Sequence, residues 1–271
     1  MLITIDTGNT QTVIGLYRRD TDIRDTDIKA DRLAGDGLVD HWRLSTDADR
    51  TSDEYAVLVR NFLDTVGYDM DAEVTGVAMC SGVPRVLANL RQMVARYFSF
   101  DAVVIEPGTK TGIPILYDNP KEVGADRIAN AVAAYALYGG PTVVVDFGTG
   151  TNFDVISANG EFLGGAIAPG LEVSLDALFG RAAALRAIEL VEPRNVIGKS
   201  TVESLQSGAL YGFAALVDGM VERFRRELGS CTVVGTGGLA HLISSTCETI
   251  EYIEPFLTLH GLRLVYEKNV R

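Results

Sequence analysis

Two short turns in this 271-residue chain carry the same kinds of residue: Asp6-Thr7-Gly8-Asn9-Thr10 and Asp146-Phe147-Gly148-Thr149-Gly150-Thr151-Asn152. In such a turn glycine lets the backbone bend tightly and approach an anion. Threonine and asparagine supply short hydrogen-bond donors, and the aspartate can orient a magnesium ion and its waters. A single copy reads more simply as a hairpin, because Gly-Asn is a common turn. Two copies, each closing an apolar strand and each carrying an acid that a hairpin does not need, point to phosphate binding. A third glycine turn, Gly235-Thr236-Gly237-Gly238, follows Val233-Val234 and leads into a helix start. Bare backbone there could let an adenine or ribose lie flat, although a plain tight turn explains it as well.

The stretch from Asn119 to Arg127 (NPKEVGADR) is the other candidate for chemistry. Asn119, Pro120 and Glu122 are of N-cap, first-turn and capping-box type, and Asp126 is electrostatically comfortable near a helix start. Arg127 is not, since a cation there opposes the helix dipole. That suggests a partner anion or carboxylate. Beside it, Asp126 could accept a proton from a substrate hydroxyl, a contribution of about 10² to 10⁴ in rate. Two further glycine-containing segments are excluded. Ile197-Gly198-Lys199-Ser200-Thr201 ends like a Walker phosphate loop, but Pro193 stands where its first glycine belongs and no strand leads in. Gly164-Gly165 through Pro169-Gly170 lacks dinucleotide-binding spacing.

Positioning these groups requires strands that end at the turns and helices behind them. Leu2–Asp6 and Thr12–Tyr17 read as a strand hairpin. Thr51-Ser52-Asp53-Glu54 is a capping box opening a helix through Leu63. Val74–Ser81 and Ala102–Glu106 read as strands around a helix Pro84–Tyr97, an α/β alternation. Prolines and Asp118-Asn119-Pro120 mark a break near 107–120, followed by a helix Gly124–Tyr138 and the apolar strand Thr142–Asp146. The second half thus restarts as the first began, with a β-branched strand running into Asp-x-Gly, which implies two related halves across a cleft. We place the domains at 1–115 and 116–271.

Composition bounds the rest. Hydrophobic residues make up 47% and charged residues 22%, ordinary for a globular protein, and no apolar run is long enough for a membrane helix. The amino terminus reads as a strand and not as a signal peptide, so a cytoplasmic location is expected. A net charge of -12 without basic clusters argues against nucleic acid, but not against a nucleotide held through a metal ion. Cys80, Cys231 and Cys247 are too few and scattered for a disulfide framework and read as buried free thiols. The twice-repeated Asp-Thr-Asp-Ile unit between Asp20 and Lys29 lacks the glycine and glutamate of a calcium loop and reads as a mobile acidic surface loop.

Taken together, these residues resemble the type III pantothenate kinases of the acetate-kinase, sugar-kinase and actin superfamily. The resemblance spans nearly the whole chain. It runs through Asp6–Thr10, Gly112-Ile113-Pro114 to Pro120, Gly124-Ala125-Asp126-Arg127, Asp146–Thr149, Gly164-Gly165 with Pro169-Gly170, and Val196–Thr201. It implies a duplicated ribonuclease-H-like (actin-like) α/β fold with ATP bound between the halves. The implied reaction is ATP-dependent phosphorylation of the primary hydroxyl of pantothenate, the first step of coenzyme A synthesis. It further implies that Asp6, Thr7, Gly8, Asn9, Thr10, Gln11, Thr12 and Val13 contact ATP, with Asp6 toward magnesium, and that Thr149 contacts the phosphates. Asp146 would bind a potassium or ammonium ion, and Asp126 would be the proton acceptor. Tyr117, Gly124, Ala125, Asp126, Arg127 and Thr201 would line the pantothenate site of a homodimer. Potassium is physically reasonable, because opposed aspartates and a triphosphate leave charge that magnesium does not compensate.

Three departures stand out. Gly150-Thr151-Asn152 replaces the Ala-Thr-Thr usual after Asp-Phe-Gly-Thr, the acidic stretch from Asp20 to Leu38 is long, and Arg181–Arg186 lacks the usual threonine and proline. Two other readings compete: a kinase for another small hydroxyl compound, or a catalytically silent ATP-binding regulator. A silent module is expected to lose Asp6, Asp126 or Asp146, and all three stand.

Overall fold

The computed structural model describes residues 1–18, 37–182 and 185–270. The acidic segment 20–36 and the pair Ala183-Ala184, on which two of the expectations above fall, lie outside the described residues. The chain forms two compact units. The first comprises Met1–Gly112, Asn119–Ala133 and Leu257–Arg271, the second Ile113–Asp118 and Ala134–Phe256.

In the first unit, the apolar run LITIDT forms β1 (Leu2–Thr7), buried except at Asp6, and pairs antiparallel with β2 (Gln11–Tyr17). β3 (Leu38–Ser45) extends the meander beyond β2. After α1 (Ser52–Thr65) and the short α2 (Met70–Glu73), the chain returns as β4 (Gly76–Ser81), parallel to β1 on its other side. α3 (Pro84–Tyr97) then leads to β5 (Val103–Val104), giving the order β3-β2-β1-β4-β5. Both halves of the α1 capping box form as expected: Thr51 Oγ1 accepts from the Glu54 amide at 3.3 Å, and Glu54 Oε2 accepts from the Thr51 amide at 2.7 Å. Ile3, Ile5, Ile14, Leu16, Val77 and Met79 pack with Tyr55 and Leu63 of α1 and Val86 and Leu90 of α3. Each such side chain contributes about 1.5–3 kcal/mol as an upper estimate, which holds β1 in the middle of the sheet. The carboxy-terminal helix α8 (Leu257–Asn269) packs on β1, β2, β4 and β5.

The second unit repeats the design. β6 (Thr142–Phe147), β7 (Gly150–Ile156) and β8 (Phe162–Pro169) form an antiparallel meander. α5 (Leu171–Arg181) and α6 (Thr201–Leu228) follow, then β9 (Thr232–Thr236), parallel to β6. The short α7 (Ala240–Ser244) and β10 (Tyr252–Ile253) complete the order β10-β9-β6-β7-β8. Read from the meander outward, β8-β7-β6-β9-β10 matches β3-β2-β1-β4-β5 strand for strand. This is the duplicated α/β arrangement expected of ribonuclease-H-like halves. Between the two meanders in sequence lies α4 (Ala125–Tyr138), preceded by a 3-10 turn at Pro120–Glu122.

Candidate functional site

The first loop is the turn between β1 and β2. Its backbone closes with the Gly8 amide donating to Gln11 O at 3.0 Å. Thr46, just past β3, braces it: Thr46 Oγ1 donates to Gly8 O at 2.8 Å and lies 3.0 Å from Thr12 Oγ1. Asn9, Thr10 and Gln11 are exposed at the tip, Asp6 and Gly8 are half-buried, and Thr7 and Thr12 are buried. Thr7 and Thr12 therefore shape the loop from inside, while its tip offers main-chain groups and short polar side chains to a ligand.

Asp6 has a neighbour that the sequence reading treats only as a core thiol. Cys80 lies opposite Asp6 in the β1–β4 register, is 0% exposed, and donates from Sγ to Asp6 Oδ1 at 3.2 Å. Burial, then the charges of Asp6 and Asp126, push the Cys80 thiol well above its ordinary range, so it stays protonated. Both acids acting on one thiol sets Asp6 and Asp126 in the same neighbourhood of the first unit.

Asp126 stands in the first turn of α4. Its Oδ1 accepts from the Arg127 amide at 2.9 Å, and Gly124 O accepts from the Ile128 amide at 3.1 Å. A Cβ at position 124 would lie 2.4 Å from Asp126 Oδ1, so glycine leaves the space that the carboxylate fills. Arg127 is 7% exposed, and a guanidinium that deep is held by compensating groups. The expected N-cap at Asn119 is present: its Oδ1 accepts from the Lys121 amide at 3.3 Å, and its Nδ2 donates to Glu122 at 2.7 Å.

The second loop, in the other unit, sits at the ends of β6, β7 and β9. Asp146 pairs in register with Asn152 on one side and Thr236 on the other. Gly237, at φ +93°, brings its bare α-carbon against it: a Cβ there would lie 2.6 Å from both Asp146 Oδ1 and Phe147 O. The third glycine turn thus closes on Asp146, while Gly238 faces open space. Gly148 and Thr149 are exposed, and Thr149 O accepts from the Gly170 amide at 3.0 Å at the start of α5. Gly150 pairs with Pro169 at the start of β7, where the Cβ of the usual alanine would meet Ala168 O tightly at 3.3 Å.

The remaining candidates are also in the second unit. The Tyr117 ring lies 6.3 Å from that of Phe162 and 3.3 Å from where a Cβ of Gly164 would be. Thr201 is exposed at the first position of α6, whose cap is Ser200. Gly198 and Lys199 fold onto that helix start, with the Lys199 amide donating to Glu203 at 3.0 Å, and no strand leads into them. Sequence reasoning missed Thr46, Gly237 as the neighbour of Asp146, and the contact of Cys80 with Asp6. The paired apolar strands held a signal for the last of these, since parallel β1 and β4 put equivalent positions side by side.

All groups offered by the two loops are oxygen or main-chain donors, which suits hard cations and phosphates. Among the described residues, no group of three or more His, Cys, Asp or Glu is placed to hold a metal ion. A magnesium ion at Asp6 would therefore take most of its ligands from water and triphosphate, the usual arrangement for nucleotide-bound magnesium. No helix among the described residues is long and apolar enough to cross a membrane.

A model of the family described as "Type III pantothenate kinase" matches residues 2–223. The chain is 54% identical to the type III pantothenate kinase of Acidothermus cellulolyticus, covering 100% of this chain and 99% of that one. It is also 54% identical to that of Frankia alni, with 100% of both covered. Among solved structures, a ROK family protein from Streptococcus pneumoniae superposes with a TM-score of 0.53 at 12% identity, over 98% of each chain. Component A of the (R)-2-hydroxyglutaryl-CoA dehydratase of Acidaminococcus fermentans does so with a TM-score of 0.52 at 12% identity, over 100% of this chain and 99% of that one. These distant likenesses concern the fold alone.

Proposed function

The chain belongs to the type III pantothenate kinase family, and from that membership and its own residues we infer how it phosphorylates pantothenate with ATP, the first step of coenzyme A synthesis. The observation that carries the reading is the braced Asp6–Thr10 loop together with Asp126, seated in the first turn of α4 in the same unit.

Asp126 takes the proton of the primary hydroxyl of pantothenate as that oxygen attacks the γ-phosphorus. The bond from phosphorus to the bridging oxygen breaks, and the electron pair leaves on ADP. Asp6 would orient a magnesium ion through water, and Gly8 with the exposed tip Asn9–Gln11 meets the nucleotide, with Val13 beside it. Thr149 contacts the phosphates, and Asp146, packed against the Gly237 turn, would hold a potassium or ammonium ion that offsets phosphate charge. Arg127 pairs with the pantothenate carboxylate, and Tyr117, Gly124, Ala125 and Thr201 complete the acceptor site. The bound cations would neutralise charge that builds between triphosphate and carboxylates.

We also propose that the enzyme is a homodimer joined through α6. Gly208, Gly212 and Ala215 are exposed along one face of that helix at helical spacing. The apolar Val196, Ile197 and Val202 are exposed at its start, Ile197 at 82%. Light scattering of purified protein tests this, and a monomer at micromolar concentration would refute it.

The assay that tests the activity couples ADP release to a reporter, with pantothenate and a panel of sugars as acceptors, with and without potassium. Turnover of pantothenate, stimulated by potassium, is expected. No pantothenate turnover in any salt would overturn the reading, and ATP binding without turnover of any acceptor would favour a silent regulator.

A further inference from the structure

Neither the nucleotide loop nor the proton acceptor, as described, makes use of Cys80. A small buried thiol in a sheet is ordinarily a core filler, replaceable by alanine at modest cost. Two observations set this one apart. It lies opposite Asp6 in the parallel β1–β4 ladder, so the two residues keep a fixed separation set by backbone hydrogen bonds. Its sulfur is 3.2 Å from Asp6 Oδ1, within reach of an S–H donor.

We propose that Cys80 is a positioning residue for phosphoryl transfer, holding Asp6 Oδ1 toward the sheet interior and so fixing the direction in which Asp6 presents Oδ2 to the nucleotide-bound magnesium. This rests on the reading of Asp6–Thr10 as the nucleotide loop. β1 fixes the Asp6 backbone, while the rotations about χ1 and χ2 are set by what the carboxylate meets. A wholly buried donor at the root of the side chain narrows those rotations before nucleotide arrives, which lowers the ordering cost of binding. A thiol suits the task. Its longer bonds to sulfur span the gap between strands, and its weak donation leaves the carboxylate available to water on the metal.

The test compares Cys80→Ala and Cys80→Val, which lack the donor, with Cys80→Ser, which keeps one, in the full-length enzyme. Manganese in place of magnesium reports binding of metal and ATP through its effect on water proton relaxation, independently of turnover. Loss of a hydrogen bond to a charged group predicts about a tenfold weaker manganese–ATP complex for Ala and Val. The KM for pantothenate should be unchanged, and Ser should recover affinity to within about threefold of wild type. In the wild type, the infrared S–H stretch should shift when magnesium-ATP is added, a signal that survives even if a variant fails to fold.

If all three variants bind manganese–ATP as the wild type does while Asp6→Asn binds it weakly, Cys80 only packs and the proposal fails alone. An unshifted S–H band also overturns it. If Asp6→Asn leaves manganese–ATP binding unchanged, the loop reading fails and takes the proposal with it.

Discussion

Gly124 and Asp126 share one small volume: a Cβ on residue 124 would stand 2.4 Å from Asp126 Oδ1, and the carboxylate occupies the place that glycine leaves empty. The intruded atom is the end of a flexible side chain, so Gly124→Ala should fold, with stability within about 1 kcal/mol of wild type. The carboxylate must then swing away, and a misplacement of about 1 Å can cost 10²-fold in rate. We expect kcat to fall between about 10- and 10²-fold with ATP affinity retained, as steady-state kinetics and nucleotide titration would show. A Gly124→Ala enzyme with normal kcat would mean that Asp126 acts from another position, or not at all.

Removing the charge of Asp126 without changing its shape gives the complementary experiment. Asp126→Asn should bind ATP normally and lose at least about 10²-fold in kcat, the usual weight of a general base. Near-normal turnover would remove Asp126 from that role.

Gly164 and Gly165 are adjacent on β8 but should fail differently. At Gly165 a Cβ would lie 1.6 Å from Phe153 O, so Gly165→Ala must part β7 from β8 and cost about 2–4 kcal/mol in urea unfolding. At Gly164 the φ of +118° also strains a side chain, but no backbone blocks it, and the new methyl would press on the Tyr117 ring at 3.3 Å. Gly164→Ala should therefore raise the KM for pantothenate several-fold, roughly 1 kcal/mol, with kcat little changed. Equal effects of the two variants on stability and KM would contradict this division.

His260 of α8 is 2% exposed, and burial, with Arg263 adding to it, pushes its pKa down to about 3. The folded value lies below the unfolded one, so the unfolded chain takes up the proton first as pH falls. Stability is unaffected above about pH 6.5 and declines from there toward about pH 3. Between about pH 6.5 and pH 4.5 this single group accounts for a loss of roughly 2–3 kcal/mol. Urea midpoints of wild type and His260→Gln at both pH values would show it: the variant, though less stable near neutrality, should lose less on acidification. Parallel losses would assign the acid sensitivity elsewhere.

Much of this arrangement was legible before any coordinates. Helix boundaries at Thr51, Pro84 and Gly124 are written in local capping chemistry, and α3 runs from Pro84 to Tyr97 as the pattern reads. The strands ending at Asp6 and Asp146 are continuous β-branched runs because both faces of a central strand are buried. β3 and β8 were less visible. The edge strand LVDHWRLS mixes apolar with charged residues, and FLGGAIAP hides its pairing behind glycines that a neighbouring backbone requires. At the site, residue types pointed to Asp6, Asp126 and Asp146 because acids at strand and helix ends are chemically conspicuous. Cys80, Thr46 and Gly237 act through contacts with residues distant in sequence, and no local pattern marks a contact of that kind.

The return of α8 to the first sheet bears on synthesis as well as on stability. Residues 257–269 cover strands made long before them, so the first unit cannot close until α8 has been made. The internal unit, by contrast, has all of its residues once Phe256 has emerged from the ribosome. The Asp6 loop thus waits for the last helix of its unit before the sheet that carries it is covered. Deleting α8 would uncover the strands that carry the Asp6 loop while leaving every residue of the loop itself in place.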